Sequence, residues 1–224
     1  MRFIHNLLPQ LSAAAGTAEG DSSSNITPLS RAVSVLSPGG EGKLHLDDLS
    51  LKHNYSLGNA ATYAITMTSL SLMELAAAHP TTAFVHSMPG GVDTNILRDF
   101  NPVVRGLVWG LGKVLTSLPV SIPAIVPIDQ SGERHVYAAT SELFAPRSCG
   151  TEGAGQPQGV REGVPVGADG EPGSGAYRLN WDSELQTKKN PLLKEYAADG
   201  VADKVWKHTL EVFDSICSSP EGKY

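Results

Sequence analysis

Asn54-Tyr55-Ser56-Leu57-Gly58-Asn59-Ala60-Ala61 opens a run that continues through Thr62 to Glu74 with apolar residues at helical spacing, and its reading decides the fold. The pattern predicts a helix over 55–78, stopped at His79-Pro80 because proline has no amide proton to extend the ladder. Upstream lies a short β-branched run, Ala32-Val33-Ser34-Val35-Leu36, closed by Ser37. Downstream lies a second, Thr82-Ala83-Phe84-Val85-His86, closed by Ser87-Met88-Pro89-Gly90-Gly91-Val92-Asp93-Thr94. Strand, helix, strand implies a right-handed crossover with the two strands parallel, and in open α/β sheets ligands sit beyond the carboxyl ends of such strands. Ser37, Tyr55 and the 89–94 turn are expected to converge there.

These residues resemble the short-chain dehydrogenase/reductases. In that family a Ser closes the fifth strand, a Tyr-x-x-x-Lys pair opens the next helix, and a Pro-Gly-x-Val-x-Thr turn follows the sixth strand. Ser37, Tyr55 and Pro89 to Thr94 match, while Asn59 stands where the Lys belongs. The resemblance implies an α/β fold, a partial Rossmann-like doubly wound parallel sheet. It also implies a catalytic set of Ser37, Tyr55 and Asn59, and an NADP or NAD site to which Pro89, Gly90, Val92 and Thr94 contribute. In the family the Lys cation lowers the Tyr pKa and holds the nicotinamide ribose; Asn59 can hydrogen-bond but brings no charge. A free phenol titrates near 10, so only about one in a thousand is ionised at neutral pH. General acid action in the reductive direction is therefore better supported than base action in the oxidative one. Tyr63 with Met67 repeats the spacing, again without a Lys.

The chain of 224 residues is 41% hydrophobic and 18% charged, ordinary for a globular protein with one sizeable core. A formal charge of −6 argues against non-specific nucleic-acid binding, which needs a basic face. Cys149 and Cys217 are too few for a disulfide framework and fit a reducing, cytoplasmic setting. Near the N-terminus, His5, Asn6 and Pro9 interrupt what would otherwise be the apolar core of a signal peptide. From Val103 to Ile128, Arg105, Lys113 and three prolines break the apolar run well short of the about 20 residues a spanning helix needs. By resemblance that region is a substrate lid with Trp109 and Leu115 as candidate pocket walls; a packed amphipathic helix is the equal alternative.

Phe3 to Leu11 reads as the last turns of a helix, with Pro9 near its end, so the resemblance enters the family fold midway. The expectation is a single partial domain over 1–224, lacking the N-terminal cofactor-binding half with its Gly-rich turn. Strand 32–36 would then carry an open edge, covered by the rest of a longer protein, a partner chain or a second copy. Small and polar residues predict flexible insertions at about 13–28 and 148–175. Ser131 is expected to cap a helix over 131–144, Ala176 to Trp181 to form an edge strand, and Val201 to Ile216 an amphipathic helix with Val205, Leu210, Val212 and Phe213 inward. In the long helix, Ala60, Ala61, Ala64, Leu70, Met73 and Ala77 are available to pack on a sheet.

Other constellations are weaker. Gly106, Gly110 and Gly112 spell a dinucleotide-loop spacing, but no strand precedes them and Val108, Trp109 and Leu111 are bulky where that loop needs small residues. Asp47, Asp48 and Ser50 read as a solvated loop, and His45 with His53 fits no compact metal-ligand spacing. His86 reads as a core histidine rather than the base of a triad with Ser37 and Asp93. The function expected is carbonyl reduction or alcohol oxidation with NAD(P). The texture of Gly132-Glu133-Arg134-His135 and Gly173-Ser174-Gly175-Ala176-Tyr177 resembles a fungal branch of the family and suggests a secondary-metabolite intermediate as substrate. The alternatives are a cofactor-free binding or isomerase-type protein using the same cleft, and an inactive remnant or interaction subunit.

Overall fold

The computed structural model describes residues 1–16, 29–92, 101–103, 106, 110, 125–151, 164–186 and 190–218. In chain order the elements are α1 (Arg2–Gly16), β1 (Arg31–Val35), α2 (Leu57–Ala78), β2 (Ala83–Ser87), β3 (Gly91–Val92), β4 (Ile125–Val126), α3 (Ile128–Thr140), α4 (Arg147–Thr151), β5 (Ala176–Leu179), α5 (Pro191–Ala198) and α6 (Val201–Ser218).

The two apolar runs flanking α2 pair in parallel, Ala32 opposite Phe84 and Val33 opposite Val85, and β5 adds to the far side of β2 with Phe84 opposite Ala176. The order is β1-β2-β5, which makes β5 the edge the sequence predicted. Successive strand residues point to opposite faces. On one face Ala32, Phe84 and Ala176 join Leu70, Met73, Leu193 and Val205. On the other, Val33, Val85, Tyr177 and Leu179 join Ala138 and Phe144. Helices thus cover both faces, α2 with α6 behind it on one and α3 on the other, as in a small piece of a doubly wound α/β sheet.

Four local expectations are corrected. Helix α1 does not end near Pro9 but runs through it to Gly16. Proline removes one ladder bond there, and packing against α6 outweighs it: Leu8 is buried, the His5 and Trp206 rings lie 5.9 Å apart, and the Arg2 guanidinium sits 5.3 Å from the Phe213 ring. Helix α3 starts three residues earlier than expected, with Pro127 at its N-cap; Ser131 is buried in its first turn. Along α2, Leu70 and Met73 are buried, but Ala61, Ala64 and Ala77 face outward, because Tyr63, Thr66 and Ser69 occupy the inward positions. Finally, residues 164–175 are built into the body: Val166 bridges Pro172, Gly173 N–H donates to the Pro165 carbonyl at 3.0 Å, and Ala168 enters the core. Residues 17–28 and 152–163 lie outside the described residues.

Among the described residues no helix is long and apolar enough to cross a membrane. Both cysteines are free and exposed.

Candidate functional site

The connection from β1 to α2 carries two of the three predicted site segments, and a different carboxylate organises each end of it. At the α2 end, Asp48 is 7% exposed and faces the three amides that follow it round the turn. Its carboxylate accepts from the backbone N–H groups of Lys52 (2.7 Å), His53 (3.0 Å) and Asn54 (2.9 Å), and from the Asn54 side-chain amide (3.0 Å). Burial alone would raise the Asp48 pKa, but these donors outweigh it and hold the carboxyl at about 2. The expected solvated loop is therefore corrected at Asp48, which is an internal acceptor. Among the described residues no group of three His, Cys, Asp or Glu is arranged to hold a metal ion.

The clamp leads directly to Tyr55, which lies two residues before α2 and is 67% exposed. Ser56 is the N-cap of α2, its hydroxyl accepting from the Asn59 N–H at 3.1 Å. The Asn59 side-chain amide donates back to the Asn54 carbonyl at 2.7 Å. Asn59 thus ties the helix to the loop that carries Tyr55. The second tyrosine, Tyr63, is buried, and its hydroxyl accepts from the His45 N–H at 2.5 Å, so it serves the loop as an anchor.

At the β1 end, Ser37 is half-buried in a tight turn closed by Gly40 N–H donating to the Ser37 carbonyl. Gly40 abuts Ile65 and Gly42 abuts Thr62, where an added Cβ would lie 3.0 and 2.8 Å from the side chains. Ile65 is eight residues along α2 from Leu57, about 12 Å at 1.5 Å per residue. No hydrogen bond joins Ser37 to Tyr55 among the described residues; they stand on the same connection, held separately.

What holds Ser37's turn was not foreseen. The side chain of Glu41 is fully buried against Arg178 of β5, itself 5% exposed, at 3.2 Å. Glu41 also accepts from Gly39 N–H (2.9 Å) and Ser69 Oγ (2.9 Å), and Asn190 Nδ2 approaches at 3.4 Å. Burial opposes its ionisation, but Arg178, the Ser69 hydroxyl and backbone amides prevail and keep its pKa below the ordinary value. Ser69 Oγ also meets His86 Nδ1 at 2.9 Å. The Ser69 hydroxyl has one proton, directed to Glu41, so His86 must donate from Nδ1; the ring is neutral with Nε2 unprotonated. Burial drives the His86 pKa down to about 4, with Arg178 reinforcing and Glu41 opposing. His86 is a core histidine, as its place in a strand implied, but its buried Nε2 has no hydrogen-bond partner among the described residues. Arg178 between buried Tyr177 and Leu179 was the one sequence signal of this network: an inward arginine in a buried strand requires a partner.

The third segment, after β2, is braced from below. Met88 N–H donates to the Leu179 carbonyl at 3.0 Å, and Gly91 and Val92 pair with Ile125 and Val126 in a short parallel ladder absent from the sequence expectation. Gly90 has φ +74°, and a Cβ there would lie 3.1 Å from both Trp181 Cβ and Val126 Cγ2, so glycine is required on two counts. The Arg134 guanidinium stacks 5.2 Å over the Trp181 ring and donates to its carbonyl at 3.1 Å, fixing the floor on which Gly90 rests. Pro89, Gly90 and Val92 are half-buried; Thr94, with Asp93 and the lid residues Trp109 and Leu115, lies outside the described residues.

Two concavities stand out. One, of about 570 Å³, lies between the 46–53 loop and α6, lined by His53, Lys204, Lys207 and His208 among others. The second, of about 510 Å³, lies between α3 and residues 182–185. Neither is lined by Ser37, Tyr55, Asn59 or the 89–92 turn. Among the described residues, the half-exposed 89–92 turn stands beyond the carboxyl end of β2. No Gly-rich strand-to-helix turn stands among them to seat a pyrophosphate.

No family model matches the chain. Curated proteins do resemble it over nearly its whole length. The chain is 38% identical over 219 residues to a protein of Emericella nidulans named oxidoreductase AN1596, covering 96% of this chain and 58% of that protein. It is 34% identical over 224 residues to oxidoreductase andH of Emericella variicolor, covering 99% of this chain and 60% of the relative. At 28% identity over 222 residues it also resembles notO of an Aspergillus species, named an NmrA-like family domain-containing oxidoreductase, covering 98% and 56%. The chain therefore spans about three fifths of the length of the curated relatives it matches.

Proposed function

We propose that this chain carries part of the active site of an NAD(P)-dependent oxidoreductase that reduces a carbonyl, or oxidises the corresponding alcohol, of a secondary-metabolite intermediate. The observation that carries the reading is 38% identity across 96% of the chain to a protein named an oxidoreductase. The strand, helix, strand unit with Ser37, Tyr55 and the 89–94 turn at its connections supports it.

A bound nicotinamide supplies a hydride to the substrate carbon. The chain's own residues handle the oxygen. The Ser37 hydroxyl donates a hydrogen bond that orients the carbonyl, and the Tyr55 phenol gives its proton to the oxygen as charge develops there. Asn59 brings no cation to the site, only a neutral amide. Pro89, Gly90, Val92 and Thr94 are the contacts proposed for the cofactor's nicotinamide end. The edge of β1, unpaired among the described residues, is where a further strand, from a longer chain, a partner or a second copy, would extend the sheet.

The test is NADPH oxidation with phenanthrenequinone as a general carbonyl probe. The reading expects turnover by the wild type, loss of about a hundredfold or more in Tyr55→Phe, and a gain in Asn59→Lys. A second reading rests on the hydrogen bond from Asn59 to the Asn54 carbonyl, which occupies the side chain that would otherwise face a ribose. On that reading Tyr55 performs proton transfer without a nicotinamide. Product formation that needs Tyr55 but not NADPH would select it.

A further inference from the structure

The Tyr55 side chain is 67% exposed and its phenol makes no hydrogen bond among the described residues, so its placement depends on the backbone that carries it. That backbone is irregular. Leu51 has φ +52°, the left-handed region that a side-chain-bearing residue rarely enters. The chain persists in this path because Leu51 N–H donates to the Asp48 carbonyl at 3.0 Å, and the next three amides converge on the Asp48 carboxylate at 2.7–3.0 Å. Asn54 is held twice by Asp48, through its backbone and its side chain, and once more from the helix through Asn59. Tyr55 stands between these fixed points, Asn54 on one side and the Ser56 N-cap on the other.

We infer that Asp48 is the positioning residue of Tyr55: its carboxylate gathers the amides of residues 52–54 into one turn and thereby sets where the phenol stands relative to α2. The inference deepens the proposed function and rests on Tyr55 being the proton donor. Asp48 touches no reacting atom in this account and acts only through the loop. Asn59 is a second anchor of the same turn, its side-chain amide donating to the Asn54 carbonyl. The exposure of Tyr55 is then compatible with a defined orientation.

The experiment incorporates 3-fluorotyrosine in the full chain and assigns the position-55 signal by its absence in Tyr55→Phe. Asp48→Asn keeps the shape and one acceptor oxygen but removes the charge; Asp48→Ala removes the clamp. The expected result is a shift of the position-55 signal toward its value in the urea-unfolded chain, partial in Asp48→Asn and larger in Asp48→Ala. Amide exchange at residues 52–54 accelerates at least about tenfold, while exchange at Phe84 and Val85 in β2 is unchanged. In the NADPH assay kcat falls about tenfold or more with KM little altered, because a displaced proton donor weakens the transition state rather than substrate binding. A position-55 signal identical to the wild type after the 52–54 amides have been freed overturns the inference. A retained kcat after the signal has shifted does so equally. If Tyr55→Phe itself turns over at the wild-type rate, the proposed function fails, and the fluorine signal alone still decides whether Asp48 sets the ring.

Discussion

Two carboxylates of the β1–α2 connection, Glu41 and Asp48, are seven residues apart and do opposite work. Glu41 is fully buried and faces a side-chain cation, Arg178, across 137 residues of sequence. Asp48 lies near the surface and faces main-chain amides four to six residues ahead. An ion pair taken out of water recovers its desolvation only while both partners and their accessory hydrogen bonds remain, so losing one leaves a buried charge. A carboxylate on local amides carries no such liability, and its loss frees a turn rather than a core. The first ties loop, α2 and sheet together; the second fixes the local turn of residues 48–54.

The contrast orders the expected effects of substitution. Glu41→Ala should be the most damaging, about 3–5 kcal/mol of unfolding free energy by urea denaturation. Glu41→Leu combined with Arg178→Met should recover most of that loss, because no unpaired charge remains. Acid comes next. His86 is neutral in the fold with a pKa near 4, against 6.5 when unfolded, so only the unfolded state takes up a proton between these values. Stability should therefore fall as pH drops from 6.5 to 4, by about 3 kcal/mol at 1.36 kcal/mol per unit, and His86→Gln should flatten that slope. Glu41 acts lower: its depressed pKa gives stability that is complete above about 4.5 and lost as pH falls below it. Gly90→Ala forces a side chain into a positive-φ position against Trp181 and Val126, and should cost about 1–3 kcal/mol. Smallest is Lys194→Ala, which removes an exposed pair with Glu171 and should leave the urea midpoint within error.

The same contrast explains what the sequence made legible. The strand, helix, strand unit and its parallel pairing were readable because buried strands appear as short β-branched runs and α2 as one long periodic segment. β5 was readable for the same reason. The helix through Pro9 was not, since the proline signal is local while the packing of Leu8 and Trp206 that overrides it is tertiary. The inward face of α2 was misread at its alanines, because the connection folds onto Thr62, Ile65 and Thr66 and draws polar residues inside. For the site, Ser37, Tyr55 and the 89–94 turn were visible as residue types at the ends of elements. Their anchors were not: Asp48 looked like any loop aspartate until the chain's path brought three amides to it, and nothing local links Glu41 to Arg178. Sequence pattern finds residues at the ends of elements more readily than the side chains that hold them in place.

The measurement that tests the central claim most directly follows the hydride. With NADPH deuterated at the transferable C4 position and phenanthrenequinone as acceptor, the protein is expected to deliver deuterium to the reduced carbon at a rate that Tyr55→Phe abolishes and Asn59→Lys increases. Deuterium transfer that survives unchanged in Tyr55→Phe, or the absence of transfer by both the wild type and Asn59→Lys, would contradict the account.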